Sequence, residues 1–178
     1  MIHRIHSATT FLASFALVIA GCGGGGSSGP PTRLSEALLD AIHRNCRKAF
    51  DCKSSYVSAM HNNRSFEDYV SGSTVDACDN SVKTLLLTFR GQDYLTKIDE
   101  SVSAGRIDYN PNDYETCLAA VEAETCDQFF HQNGATESPP RECDTIEVGR
   151  VPSAGACTLD EDCAIAGDAC NATPNTCG

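Results

Sequence analysis

Cysteine offers the most chemistry in this sequence of 178 residues, which contains eleven of them. Ten lie after Cys22, an even number, and thiols in an oxidising compartment pair as disulfides that each contribute about 2 to 4 kcal/mol. Dividing them into the first six and the last four still allows about 45 pairings, so the connectivity stays open. We predict up to five disulfides among these ten residues: Cys46, Cys52, Cys78, Cys117, Cys126, Cys143, Cys157, Cys163, Cys170 and Cys177.

Two groups of residues have the composition of a metal site without its spacing. His43 and Cys46 are three residues apart, as zinc ligands can be, but no C-x2-C pair completes the set. The acidic residues of segment 160–168 do not follow the calcium-binding EF-hand order, because Ala164 and Ile165 stand where a ligand and a glycine belong. We therefore predict no metal and no cofactor. The expected role of these acids is a solvated face: Asp160, Glu161, Asp162 and Asp168.

Signatures of catalysis are missing from the sequence. There is no G-x-S-x-G elbow, no H-E-x-x-H, no P-loop and no C-x-x-C redox pair. His43, His61 and His131 each stand among polar residues, which favours a place on the surface. We predict no catalytic residue, and the alternative of a secreted-type enzyme or enzyme inhibitor with an unmarked site stays open.

Residues 34–132 have the apolar spacing of helices. An apolar stripe begins at Leu34 and predicts a helix to about Asp51, and further stripes follow over 75–102 and 114–121. Asn110 and Pro111 form a helix start, and Ser65 forms another. We predict four or five helices and few strands.

Residues 133–178 have a different composition, rich in cysteine and turn residues. The last 26 residues contain only Leu159 and Ile165 as large aliphatic side chains, too few for a core. Their four cysteines must supply the order, paired within the segment. The predicted fold class is mainly α: a disulfide-stapled bundle of four or five helices followed by a small loop-rich, cysteine-rich tail.

The N-terminal segment has the pattern of an export signal. Residues 1–21 contain a basic start at Arg4 and an apolar stretch, Phe11 to Ala20, which is too short to span a bilayer. It ends in Ile19-Ala20-Gly21-Cys22, which resembles the lipobox of bacterial lipoproteins at every position. The resemblance implies cleavage before Cys22 and attachment of lipid to its thiol. We expect the membrane to be a partner through this anchor.

Residues 22–33 follow as a tether. The run GGGGSSGPPT has no side chain able to bury apolar area, and ten such residues span roughly 18 Å on average. Gly23 follows the cysteine in place of the aspartate associated with inner-membrane retention in some bacteria. We therefore expect lipid anchoring to the outer membrane.

A second resemblance covers about two thirds of the chain. Segment GRVPSAGAC, Gly149 to Cys157, with the cysteine spacing that continues to Cys170, resembles the tails of predicted myxobacterial lipoproteins that are labelled Dickkopf-N-terminal-like. SVSAGRIDYN, Ser101 to Asn110, followed by Cys117-Leu118, is similar in the same proteins. The resemblance implies a location and a style of fold, and no activity.

The charge balance narrows the choice of partners. There are 13 Lys and Arg against 24 Asp and Glu, a net charge of −11, and loss of residues 1–21 removes one further basic residue. Phosphate backbones require clustered positive charge, so we expect no nucleic acid partner. The predicted function is a non-enzymatic binding or structural module of the cell envelope, with a cell-surface protein or a glycan as its expected contact.

Overall fold

A computed structural model describes residues 30–131 and 140–178 of the chain. The predicted signal and most of the tether, with Cys22, lie outside these residues, as does the predicted boundary at 132/133. The described part is mainly helical, which confirms the predicted fold class. Its six α-helices are α1 Leu34–Asp51, α2 Phe66–Val70, α3 Val75–Arg90, α4 Tyr94–Ser103, α5 Pro111–Glu122 and α6 Cys126–Phe129. Short 3-10 turns lie at Lys53–Ser55, Ser58–Met60, Arg141–Cys143 and Asp160–Asp162.

Polar side chains at the N-termini set where most helices begin. The hydroxyl of Ser65 accepts a hydrogen bond from the Asp68 amide, and the side chain of Asn110 accepts one from the Asn112 amide. These bonds satisfy amides that have no partner inside a helix. Gly91 ends α3 with a φ of 102°, a conformation that favours glycine, so α3 and α4 are separate helices.

Two apolar cores form along the long helix α1. The larger joins α1, between Ala37 and Ala49, to α2, α5 and α6, around the fully buried Tyr114 and Phe130. The smaller joins the N-terminal half of α1 to α4, where Leu34 and Ile98 are fully buried. Helix α1 packs against both α3 and α4 and is therefore the central element of the bundle, which we define as residues 34–131.

The apolar stripe of α3 does not all face the core. Leu85 and Phe89 are 46% and 61% exposed, although their spacing predicts an inward face. Leu86 and Leu87 contact the smaller core in their place. The C-terminal half of α3 thus presents two large apolar side chains to solvent.

Four short strands form two antiparallel ribbons. Strand β1 (Ile107–Tyr109) pairs with β2 (Glu147–Gly149), and β3 (Cys170–Asn171) pairs with β4 (Thr176–Cys177). The first ribbon joins residues about 40 apart in sequence. Ile146, immediately before β2, is fully buried in the larger core, so the start of the predicted tail packs as part of the bundle.

Five disulfides use all ten cysteines that follow Cys22. Three secure the bundle and its neighbouring turn: Cys46–Cys78, Cys52–Cys126 and Cys117–Cys143. Two lie within the C-terminal segment: Cys157–Cys170 and Cys163–Cys177. We call residues 151–177, which contain these last two bonds, the knot. Its two disulfides pack with Val151 as a small separate cluster, as the prediction of a self-paired tail required.

None of the described helices combines the length and the apolar character needed to cross a membrane.

Candidate binding depression and the joint behind it

A shallow depression lies where α4, the β1–β2 ribbon and the start of α5 meet. Its cavity volume is about 470 Å³. Its apolar lining comes from Val102 and Val148, and its polar lining includes Asp108 and Asp113. None of the described lining residues is basic. Such a surface suits an uncharged polar or cationic group that also has an apolar face.

The β1–β2 ribbon separates this depression from the interior. Asp108 and Val148 are directly opposite each other in the register, and both are exposed. Their neighbours Ile107 and Glu147 turn to the other side, as alternation along a strand requires. Strand β2 therefore supplies a wall of the depression with one face and contacts the protein interior with the other.

The folded chain begins beside the depression. The hydroxyl of Tyr109 donates a hydrogen bond of 2.7 Å to the carbonyl oxygen of Pro31. Burial, with the nearby Glu115 and Glu36, raises the pKa of Tyr109 to about 12, so the hydroxyl keeps its proton as a donor. The Asp99 carboxylate accepts hydrogen bonds from the Ser35 amide and hydroxyl at 3.0 and 2.6 Å and pairs with Arg33. These contacts fix the N-terminal end of α1.

Behind the ribbon, the knot meets the bundle through a set of polar contacts that we call the joint. At its centre the Asp162 side chain is fully buried. Its Oδ2 accepts hydrogen bonds from the Thr158 and Leu159 amides at 2.7 and 3.2 Å and from Arg106 Nε at 3.1 Å. Burial alone would raise the pKa of Asp162, but hydrogen bonds from Thr158, Ser101 and the Leu159 amide hold it below its usual range. Asp162 thus stays charged and ties the knot to Arg106 of the bundle.

A second part of the joint collects three carboxylates around one guanidinium. Arg90, at the end of α3, lies 3.2 Å from Asp160 and 2.7 Å from Glu161. The Tyr94 hydroxyl donates to Glu161 at 3.1 Å. Glu147 approaches from β2, and burial, followed by the charge of Glu161, raises its pKa to about 7.

Gly149 allows this close approach of β2 to the knot. A Cβ at this position would lie 2.2 Å from the Cys163 carbonyl oxygen and 2.7 Å from that of Glu161. Both are backbone atoms, which cannot turn aside as a side chain can. The glycine of the GRVPSAGAC segment therefore has a packing role.

The predicted histidines lie in three different places, with His131 half-buried just after α6. His43 is exposed, and its Nδ1 lies 2.6 Å from Asp79 Oδ2, which links α1 to α3. His61 is only half exposed, because its ring stacks on Tyr56 at 4.9 Å between centroids. The predicted surface position is met only in part by His61, because its ring packs against the aromatic rings of Tyr56 and Tyr69. Cys46, the other half of the zinc-like pair, is bonded to Cys78.

The acidic segment is only in part a solvated face. The Asp160 side chain is 50% exposed, whereas that of Glu161 is 13% exposed and that of Asp162 is fully buried. The prediction of solvation is wrong for Asp162 and Glu161, because Arg106 and Arg90 reach them from the bundle. Asp168 is half-buried and accepts a hydrogen bond from Ser153 within the knot.

No pattern in the sequence predicts the residues that build the joint from the bundle side. Arg90 and Tyr94 stand at helix ends, and Arg106 lies in a turn, with no spacing that relates them to residues 160–162. The GRVPSAGAC segment, which begins at the closely packed Gly149, is the sequence feature that could have drawn attention to this contact. Comparison of the chain with protein-family models, with curated proteins and with solved structures finds no match.

Proposed function

We propose that this protein is a lipid-anchored, extracytoplasmic lipoprotein whose folded part is a non-enzymatic binding or structural module. The observation that carries the proposal is the cysteine arithmetic. Every cysteine after Cys22 is used in one of five disulfides, so the eleventh has no cysteine partner left within the chain. Lipid attachment to Cys22 accounts for the odd number, and the sequence Ile19-Ala20-Gly21-Cys22 supports it.

The disulfides also support an oxidising location, because such bonds persist outside the cytoplasm. An outer-membrane anchor is the location that we propose, on the basis of Gly23 after the cysteine. Two acyl chains hold a protein on a membrane far more firmly than one, at about 0.8 kcal/mol per buried methylene.

The depression is the surface that we propose for contact with a cell-surface protein or a glycan. Its lining combines apolar side chains with carboxylates, and the described lining residues include no histidine. A binding surface fits this composition better than an acid–base site does, because Asp108 is already paired with Arg150. The alternative, a secreted-type enzyme or enzyme inhibitor with an unmarked site, predicts a soluble mature chain without acyl groups.

Intact mass of the protein extracted from membranes tests the anchor. We expect a chain that begins at Cys22 and carries the mass of two or three acyl groups. Cys22→Ser should fold with all five disulfides and leave the membrane fraction, whereas the matched control Ser27→Ala should remain in it. A wild-type protein that is soluble and unacylated would contradict the proposal.

Photocrosslinking on living cells tests the binding surface. A photoreactive residue at Val148, which lines the depression, should yield a defined crosslinked product, and one at the exposed Ile165 of the knot should not. Identical products from the two positions would place the contact elsewhere.

A further inference from the structure

Around Arg90, the joint holds more negative charge than this one guanidinium can compensate. The single guanidinium of Arg90 is bonded to both Asp160 and Glu161, and Glu147 is a third carboxylate beside them. Oxygen Oε2 of Glu147 and Oε2 of Glu161 are both buried, and neither has a hydrogen-bond partner among residues 30–131 and 140–178. A buried, unpaired carboxylate oxygen is costly, and a proton on one of the two acids removes the like-charge repulsion.

Among the described residues, no disulfide links the knot to the bundle across this joint. The last crosslink to the bundle is Cys117–Cys143, and both later disulfides lie inside the knot. Residues 144–178 are therefore held by the β1–β2 ribbon, by the buried side chains of Ile146 and Leu159, and by the polar contacts of the joint. Because these contacts are non-covalent, a change of charge in the joint can alter how firmly the segment is held.

We propose that Glu147 and Glu161 form a proton-controlled latch, which holds β2 and the knot against the bundle in acid and loosens them above neutral pH. Since β2 carries Val148 and Thr145 lies just before it, the latch also controls one wall of the depression. The inference concerns the fold alone and does not depend on lipid attachment at Cys22.

The charged and titratable groups that face Glu147 come from each neighbouring element. Glu161 comes from the 160–162 turn, Arg90 from the end of α3 and Tyr94 from the start of α4, and Tyr109 pairs with Glu147 across the ribbon. Burial raises the pKa of both tyrosines, so they stay neutral up to about pH 10. Between pH 4 and 9, Glu147 is therefore the group whose raised pKa makes it change charge.

The direction of the pH effect follows from the raised pKa of Glu147, about 7 when docked against an ordinary 4.5. The docked form binds the proton more tightly than the open form does. The contribution of Glu147 to docking is therefore fully present below about pH 4.5, is lost as the pH rises to about 7, and does not return at higher pH. The equilibrium constant for docking should fall by on the order of 100-fold over this interval.

Amide hydrogen exchange of the full chain, corrected for the intrinsic rate at each pH, tests the latch. The amides of Arg150 and Asn110 report on it, because they donate to the carbonyl oxygens of Arg106 and Ile146 between the bundle and segment 144–178. Their protection should fall by on the order of 100-fold between pH 4.5 and 8 in the wild type and stay nearly constant in Glu147→Gln. The matched control Glu142→Gln, which removes an exposed glutamate, should behave as the wild type does. Equal protection at both pH values in the wild type, or an undiminished fall in Glu147→Gln, would overturn the latch.

A second measurement uses the unaltered chain and does not require the variant to fold. Carbon-13 NMR of the side-chain carboxyls should show Glu147 titrating close to neutral pH. A Glu147 midpoint near 4.5 would also overturn the proposal.

Discussion

The bundle and the knot both contain disulfides, yet they are stabilised in different ways. The bundle buries large side chains such as Tyr114, Phe130 and Ile98, and its crosslinks close loops as long as 74 residues, Cys52 to Cys126. In the knot, the two disulfides pack with Val151 alone, and their loops span 13 and 14 residues. The bundle has a core that disulfides reinforce, whereas in the knot the disulfides are most of the core.

Different interactions hold the two regions in place. The bundle elements are placed by apolar packing around α1. The knot contributes Leu159 to that packing, and its turn is otherwise placed by Asp162, Glu161 and Asp160, which contact arginines of the bundle. Charge and hydrogen bonding thus decide where the knot lies, so we expect its position, and not the bundle, to respond to pH and to single polar substitutions.

Removal of a long-range disulfide should give the largest effect and reveal the dependence of the bundle on it. Cys52→Ala with Cys126→Ala should lower the free energy of unfolding by about 4 to 5 kcal/mol, because the bond closes the longest loop. Urea denaturation followed by circular dichroism measures this. Cys157→Ala with Cys170→Ala is the matched control. It should lower the stability of the knot by about 3 kcal/mol and leave the unfolding transition of the helices almost unchanged. Equal loss of helical stability in both variants would show that the two regions unfold as one unit.

Crowding the contact between β2 and the knot should separate the two regions. Gly149→Ala places a Cβ against the backbone of Cys163 and Glu161, so we expect a loss of about 3 kcal/mol in docking. Limited proteolysis should then cut the 144–150 segment while the bundle remains intact. Gly167→Ala is a control without crowding, because nothing lies near its Cβ position, although its φ of 95° carries its own strain. Resistance of the Gly149 variant to proteolysis would show that β2 can shift without undocking.

Removing the charge of Asp162 should weaken the joint by a smaller amount. Asp162→Asn keeps the shape but loses the ionic hydrogen bonds to Arg106 and the two amides, which predicts a loss of about 2 kcal/mol. The amide exchange of Thr158 and Leu159 measures it. Asp168→Asn, which alters a hydrogen bond inside the knot, should leave those amides protected. Equal exchange rates of the Thr158 and Leu159 amides in the two variants would contradict the proposed role of Asp162 at the joint.

The smallest effect should come from a polar contact inside the bundle. Tyr114→Phe removes a hydroxyl that donates to Asp40 at 2.5 Å, and the apolar packing of the ring remains. We expect a loss of about 1 kcal/mol in the free energy of unfolding, measured by urea denaturation. A loss as large as that of the Cys52 and Cys126 double variant would mean that polar contacts govern the bundle as well.

Local signals in the sequence were sufficient for the bundle. Helix α1 lies where its apolar stripe predicts, from Leu34 to Asp51, and Asn110 with Pro111 begins α5. Such signals involve residues three or four positions apart, so the chain itself contains both partners. Cys46 and Cys52 are six residues apart, about 240° around a helix, a separation that predicts different partners, and the structure pairs them with Cys78 and Cys126.

The sequence could not predict the joint, because its partners are far apart and have ordinary compositions. Arg106 and Asp162 are 56 positions apart, and Arg90 and Glu161 are 71 apart. Strand β1 has three residues, and it pairs with a strand about 40 positions later, so no alternation was long enough to predict it. For the same reason the sequence predicts a solvated face for the acidic turn, although tertiary partners bury Asp162.

The hydrogen bond from Tyr109 to Pro31 has a consequence for how a ligand would be found. Pro31 lies nine positions after Cys22, and a chain of that length extends to about 30 Å at most. If Cys22 is in a bilayer, as we propose, the depression beside Tyr109 can explore only a thin layer above that membrane. A partner fixed in the same membrane would then meet it at an effective concentration that short flexible linkers bring to the order of millimolar. Even a weak contact would be occupied under those conditions, whereas the same contact with a freely diffusing molecule would stay largely empty.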